Sequence, residues 1–291
     1  MKGVLTALTI PFRENKLAED DLINHVNSLI KAEVNGFFLL GSVGQGTLLT
    51  AEERTRVLDI VKENIDNEKY IVVQIGGTDW NTILTTIKEA EKHEATALAT
   101  IPPIYYKPDY ETLRRYLEKI TNLTSLPIYI YNIPRNVGFD VTPEITARLL
   151  HNGIKISGIK DTTQDITEII GHISLGIDVF NGIDAMILPS LIVGGKGCVS
   201  GLSNAIPELI VSIYKNTIKG NIEEARKIQL QVYKLFQIVG KYPSPSIHYE
   251  LVKLLRYDFG NVKEPLIRGL TEDEEKELKL QLDSLGFKTI L

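Results

Sequence analysis

Ile156-Ser157-Gly158-Ile159-Lys160-Asp161-Thr162 is the stretch from which the fold of this chain is read. An apolar run of strand length gives way to an amine, a carboxylate and a hydroxyl. A buried parallel strand ends this way where it delivers side chains to the carboxyl edge of a sheet. Alternation places Ile156, Gly158 and Lys160 on one face. Outward from this segment, the chain repeats the pattern as runs 4–10, 36–40, 70–75, 95–101, 127–131, 154–159, 177–180 and 197–200. Amphipathic stretches separate them, several opening on start signals: Thr50-Ala51-Glu52-Glu53 reads as a capping box, Asp79 and Asp109 precede helical patterns, and Thr142-Pro143 puts proline in a first turn. Repeated βα units over a chain of this length predict a (β/α)8 barrel, with an open doubly wound sheet as the alternative. From residue 205 onward only helical patterns remain, over 206–218, 221–239, 244–256 and 273–284. The expected division is therefore a barrel core over 1–204 and a helical C-terminal extension over 205–291, packed on the barrel and including the helices that complete it.

Composition narrows the function classes. The net charge of −5 and the lack of a basic block argue against nucleic acid or an anionic membrane as partner. No run of about 18 apolar residues is present to span a bilayer, and the first residues lack a secretory apolar region, so cytoplasm is the expected compartment. Cys198, the single cysteine, cannot form an internal disulfide, and the five histidines show no ligand spacing. No metal is expected. His25, His93, His151, His172 and His248 read as structural or surface residues.

Four segments at strand ends carry chemistry. Lys160, if it faces the lumen, is an amine at the mouth of an apolar barrel, where loss of water frees it to attack a carbonyl; otherwise it is a solvated loop lysine. In Ile128-Tyr129-Ile130-Tyr131-Asn132-Ile133-Pro134, Tyr129 and Tyr131 share a face, and Tyr131 falls beside Lys160 on the neighbouring strand. Its phenol is either a proton carrier or a packing group. Gly41-Ser42-Val43-Gly44-Gln45-Gly46-Thr47 fits neither a dinucleotide fingerprint nor a P-loop, but its glycines let backbone amides converge on an anion such as a carboxylate, unless they serve only a tight turn. Pro102-Pro103-Ile104-Tyr105-Tyr106-Lys107-Pro108 is a stiff loop that presents two tyrosines to this site or to another subunit. Gly194-Gly195-Lys196-Gly197 reads as a turn into the last strand or, less simply, as a phosphate loop.

Together these segments resemble the dihydrodipicolinate synthase / N-acetylneuraminate lyase family of class I aldolases along essentially the whole chain. Gly41-Ser42-Val43-Gly44 matches its carboxylate loop, Tyr131-Asn132-Ile133-Pro134 its tyrosine segment, and Gly158-Ile159-Lys160-Asp161 its Schiff-base strand. The resemblance implies that Lys160 condenses with pyruvate and that Tyr131 relays protons. It also implies that Ser42 and the Val43 amide hold the pyruvate carboxylate, while Tyr106 completes the relay from a neighbouring protomer. Thr162 and Gly182-Ile183-Asp184 would line the path of the second substrate. The protonated imine is the electron sink, so no cofactor is implied; the assembly implied is a homotetramer built as a dimer of dimers.

Three departures bear on substrate. Val43 replaces a hydroxyl residue of the loop, and Gln45 stands where many members carry Glu. Asn136 occupies the place of an arginine that grips a substrate carboxylate in dihydrodipicolinate synthases, with Arg135 one residue early. The segments around Lys160 and Tyr131 look closest to archaeal-type 2-keto-3-deoxygluconate aldolases of the Entner–Doudoroff route. Asp109 and Gly240 align with arginines of relatives that accept the 6-phosphate, which implies cleavage of the non-phosphorylated sugar acid to pyruvate and glyceraldehyde. Dihydrodipicolinate synthase and N-acetylneuraminate lyase are the alternatives within the class, and a non-catalytic sugar-acid sensor the alternative outside it.

Overall fold

The eight runs emerge as parallel strands that close on themselves in chain order. They are β1 (Gly3–Ala7), β2 (Gly36–Leu39), β3 (Tyr70–Gln74), β4 (Ala97–Thr100), β5 (Ile128–Asn132), β6 (Gly158–Asp161), β7 (Asp178–Asn181) and β8 (Gly197–Ser200). β8 pairs with β1 at Thr6↔Ser200, so no sheet edge is left. The computed structural model describes residues 1–266 and 269–290. Near-continuous hydrophobicity is what two buried faces require. One face fills the lumen with Leu5, Phe38, Val72, Ala97, Tyr129, Tyr131, Phe180 and Val199. The other packs Val4, Phe37, Leu39, Val73 and Leu98 under the helices.

The helices of the barrel units are α1 (Glu19–Lys31), α2 (Ala51–Asn64), α3 (Trp80–Lys92), α4 (Tyr110–Thr121), α5 (Pro143–His151), α6 (Ile166–Ser174), α7 (Ile187–Ile192) and α8 (Pro207–Ile218). Their starts follow the sequence signals. Thr50 and Glu53 form the reciprocal capping box of α2, and the side chains of Asp79, Asp109 and Thr142 accept from the backbone of Thr82, Thr112 and Ile145. α9 (Ile222–Val239), α10 (Ser246–Leu255) and α11 (Glu272–Ser284) follow α8, within one or two residues of the expected bounds. α9 packs along α8. The turn at Gly194–Gly197 does lead into β8, with Gly194 at φ 110°. Among the described residues no helix is long and apolar enough to cross a membrane.

Two features depart from the expectation. The sixth strand starts at Gly158 rather than at Ile154, so the alternation read from Ile156 does not extend that far back. Ile156 packs in the outer layer with Ile130, Ile159 and Val179, not on the face of Lys160. A hairpin of two-residue strands, Phe12–Arg13 and Lys16–Leu17, follows β1 and turns through Glu14 and Asn15 at positive φ. Its Phe12 exchanges backbone hydrogen bonds with Asn261, fastening the start of the chain to the C-terminal extension.

Candidate active site

Register brings the two reactive groups together. β5 and β6 pair Tyr131 with Lys160, and β7 places Phe180 on the other flank of the lysine. Lys160 is 5% exposed, with Nζ 3.8 Å from the centre of the Tyr131 ring and 4.5 Å from that of Phe38. Among the described residues this ammonium or amine makes no hydrogen bond and no ion pair. Buried lysines are ordinarily paired, because an uncompensated charge out of water is costly. Gly182 explains how the side chain reaches the lumen: a Cβ there would lie 3.0 Å from Lys160 Cε and 2.6 Å from Thr162 Cγ2.

The Tyr131 hydroxyl lies 3.2 Å from Ser42 Oγ, so the phenol, the loop hydroxyl and the amine form one cluster on β5, β6 and the loop after β2. The loop is drawn tight by bonds from the Gln45 and Gly46 amides to the Ser42 and Gly41 carbonyls. The amides of Ser42 and Val43 keep no partner within the described residues. α2 contributes less than its closeness suggests, because its capping box already serves two of its first amides. From beneath, the Tyr249 hydroxyl donates toward the Val43 and Ile10 carbonyls and accepts from Gln45 Nε2 at 2.6 Å. Gln45 Oε1 accepts from the Lys263 amide. Sequence reasoning singled out Gln45 only as a departure and missed Tyr249. No local signal marks a tyrosine more than 200 residues away as the floor of this loop.

The remaining expected residues divide. Thr162 donates its hydroxyl to the Asn132 carbonyl at 2.8 Å, which joins β5 to β6. Gly182 and Ile183 line a cavity of about 550 Å³ above Lys160 and Tyr131. Asp184 touches that cavity, but its carboxylate accepts from Ser200 Oγ and the Leu202 amide, and its carbonyl accepts from Gln229. Burial pushes the Asp184 carboxyl above its usual range, opposed by those hydrogen bonds and by the charge of Lys160. Tyr106 is not brought to the site: it is 81% exposed, stacked edge-to-face on Tyr105, and outside the cavity lining. Arg135 and Asn136 both face the cavity, at the short helix Pro134–Val137. His248 closes it from α10; burial holds the imidazole neutral, with ionisation pushed down to about 4.

Comparison with known proteins agrees with this arrangement. The profile of the dihydrodipicolinate synthetase family matches residues 1–285. The chain is 30% identical to a 4-hydroxy-tetrahydrodipicolinate synthase of Persephonella marina and 28% identical to one of Methanococcus maripaludis, each alignment covering 98% of this chain and at least 98% of the relative. Among solved structures it is similar to a prophage protein of the dihydrodipicolinic acid synthase family from E. coli K12 in complex with pyruvate. That match has a TM-score of 0.92 and 26% identity over 99% of both chains. It is also similar to a variant of Sulfolobus solfataricus 2-keto-3-deoxygluconate aldolase, at a TM-score of 0.90 and 25% identity over 98% of this chain and 96% of that one. A barrel whose sixth strand carries an unpaired buried lysine beside the tyrosine of the fifth, matched by one family profile along nearly its whole length, leaves one assignment: the chain belongs to the dihydrodipicolinate synthetase family and is a class I pyruvate aldolase of it.

Proposed function

We propose that Lys160 is the Schiff-base residue and that the reaction is reversible cleavage of 2-keto-3-deoxygluconate to pyruvate and glyceraldehyde. The observation that carries the chemistry is the buried Lys160 amine, which among the described residues makes no hydrogen bond or ion pair and lies against the ring of Tyr131. Attack of Nζ on the ketone and loss of water give a protonated imine. As the C3–C4 bond breaks, the electron pair moves into that imine to form an enamine, and Tyr131 takes the proton of the C4 hydroxyl. Protonation of the enamine carbon and hydrolysis then return the amine and release pyruvate. Ser42, within hydrogen-bond reach of Tyr131, passes the proton on and, with the Val43 amide, holds the pyruvate carboxylate. Tyr106 extends the relay only if a neighbouring protomer supplies it, which fits its exposure here and a tetramer built from dimers. Thr162, Gly182, Ile183 and Asp184 line the cavity and shape the aldehyde side, and Thr162 and Asp184 also fix backbone through their hydrogen bonds.

Substrate preference rests on charge. Asn136 offers no cation at the position that would grip a second carboxylate, and the cation that lines the cavity, Arg135, stands one residue earlier in the turn. Asp109 caps α4 as a carboxylate whose ionisation is pulled below its usual range by the Thr112 hydrogen bonds; it lies outside the cavity lining and supplies no cation for a 6-phosphate. A second reading, condensation of pyruvate with aspartate semialdehyde, is favoured by the name that the aligned Persephonella and Methanococcus proteins carry. Borohydride reduction with pyruvate, followed by intact mass, tests the lysine: the adduct is expected in wild type and absent in Lys160→Ala. Parallel assays with glyceraldehyde and with the semialdehyde test the substrate, and faster turnover of the semialdehyde reverses the assignment.

A further inference from the structure

Directly behind Lys160, on the outer side of β6, the chain assembles a group of side chains that the aldolase chemistry does not use. Asp161 ends β6, while Glu168 and His172 stand one helical turn apart on α6 and face it. One donor atom from each of the three lies within 4.8 Å of the others. Asp140, in the segment after the short helix Pro134–Val137, joins from the side. Asn132 Nδ2 donates to Asp140 Oδ1 at 2.8 Å and reaches Asp161 Oδ2 at 3.5 Å.

His172 is the decisive member. It is fully buried, and among the described residues neither ring nitrogen has a hydrogen-bond partner. Its Nε2 points at Asp161 Oδ2 from 3.6 Å, too far for a hydrogen bond. That spacing suits two donors sharing one ion at about 2.1 Å each. Glu168 Oε2 is likewise buried and without a partner. An imidazole can hardly avoid finding a donor or acceptor in a native interior unless something else fills that role. Asp161 Oδ1 is occupied, accepting from the amide and hydroxyl of Thr163, which fixes the carboxylate and leaves Oδ2 turned to the histidine.

The charge balance points the same way. Among the described residues no lysine or arginine forms an ion pair with Asp140, Asp161 or Glu168. The Glu168 carboxyl instead shares a hydrogen bond with Asp140, in a group of carboxylates that Asp161 and Asp165 also crowd. A cation at this place would relieve the crowding that its neighbours impose.

We propose that Asp161, Glu168 and His172, with Asp140 at the rim, form a site for a divalent transition-metal ion of the Zn²⁺ class that clamps α6 to the end of β6. One imidazole and several carboxylates suit such an ion better than Mg²⁺ or Ca²⁺, which take oxygen donors alone. Lys160 projects into the lumen and Asp161 away from it, so the ion touches neither pyruvate nor the imine. Its effect is structural, and it does not depend on the reading of the reaction.

The test uses the full chain, stripped with a chelator and then titrated with ZnCl₂ by calorimetry, with Mg²⁺ as comparison. Metal content after desalting is read by mass spectrometry and the melting temperature is followed throughout. One Zn²⁺ per chain and a rise in melting temperature are expected, with no comparable response to Mg²⁺. Glu168→Gln and His172→Gln, which nearly keep volume, should each weaken Zn²⁺ binding at least about tenfold. Co²⁺ in place of Zn²⁺ should give a visible absorption band that is lost in both variants. Absence of uptake by the wild-type chain overturns the site, whatever the variants do. Undiminished binding in either folded variant overturns it as well, because the ion then sits elsewhere.

Discussion

Lys160 carries its side chain into a lumen lined by Phe38, Tyr131 and Phe180, where among the described residues only the ring faces of Phe38 and Tyr131 and the more distant Asp184 carboxylate offset its charge. An amine so placed costs stability, and its reactivity is the reason the fold bears that cost. Tyr131→Phe removes the hydroxyl beside Ser42 and leaves the ring under the amine. It should lower kcat about 10²- to 10⁴-fold while pyruvate trapping persists, as followed by steady-state rates and adduct mass. An unchanged kcat would mean that the phenol only packs. Gly182→Ala introduces a Cβ against Lys160 Cε and Thr162 Cγ2. The lysine must then swing, and adduct formation should slow about tenfold or more with secondary structure by circular dichroism unchanged; trapping at the wild-type rate would sink the idea that this glycine sets the path of the side chain. At this scale the sequence was informative. Lys160 and Tyr131 stood at the ends of neighbouring strands, though each had a bland reading that spacing could not remove. Thr162 and Asp184, expected on the substrate path, both line the cavity, while their hydrogen bonds go to Asn132, Ser200 and Leu202, which no spacing announced.

Elements bring these residues into place by devices of differing visibility. Caps are local, so Thr50, Asp79, Asp109 and Thr142 could be read directly. The start of β6 could not: the alternating Ile154–Ser157 reads as strand, but the backbone joins its neighbours only from Ser157, which bonds to Ile128 and Asp178, and the strand proper runs from Gly158. The loop after β2 is the clearest case. Its shape depends on Tyr249 of α10, which holds the Val43 carbonyl and the Gln45 amide group from below. Tyr249→Phe should leave the Val43 carbonyl without this donor and Gln45 Nε2 with only its 3.5 Å contact to the Ile10 carbonyl, at a cost of about 1–3 kcal/mol. Because the loop frames the proposed carboxylate site, KM for pyruvate should rise more than kcat falls. Equal KM in wild type and variant would show that the loop keeps its form without the hydroxyl.

Across the molecule, the first and last segments are tied together through one buried imidazole. His25 on α1 lies within hydrogen-bond distance of Thr9, of Asn204 at 2.9 Å and of Tyr257 at 2.6 Å, so β1's loop, the residues after β8 and the extension meet there. Burial pushes its ionisation from 6.5 down to about 4. The folded chain keeps it neutral while the unfolded chain protonates it near 6.5. This stabilisation is therefore complete above about pH 6.5 and is lost as pH falls toward 4, up to about 3 kcal/mol. Urea unfolding at pH 7 and pH 4.5 should show a smaller difference in His25→Gln than in wild type; identical differences would assign the acid sensitivity to other groups.

What the sequence determined by itself was periodic and local: alternating strands and amphipathic helices, their caps, the late helical extension, and a lysine and a tyrosine at successive strand ends. Hydrophobic period and capping chemistry act over a few residues, so they can be read in one dimension. Tertiary structure alone decided that the sheet closes, that Tyr249 supports a loop two hundred residues earlier, that Tyr106 stands away from Lys160 within one chain, and that His172 meets Asp161 and Glu168. Each of these depends on contacts between segments whose approach is set by packing of the whole barrel, and no spacing along the chain encodes such contacts.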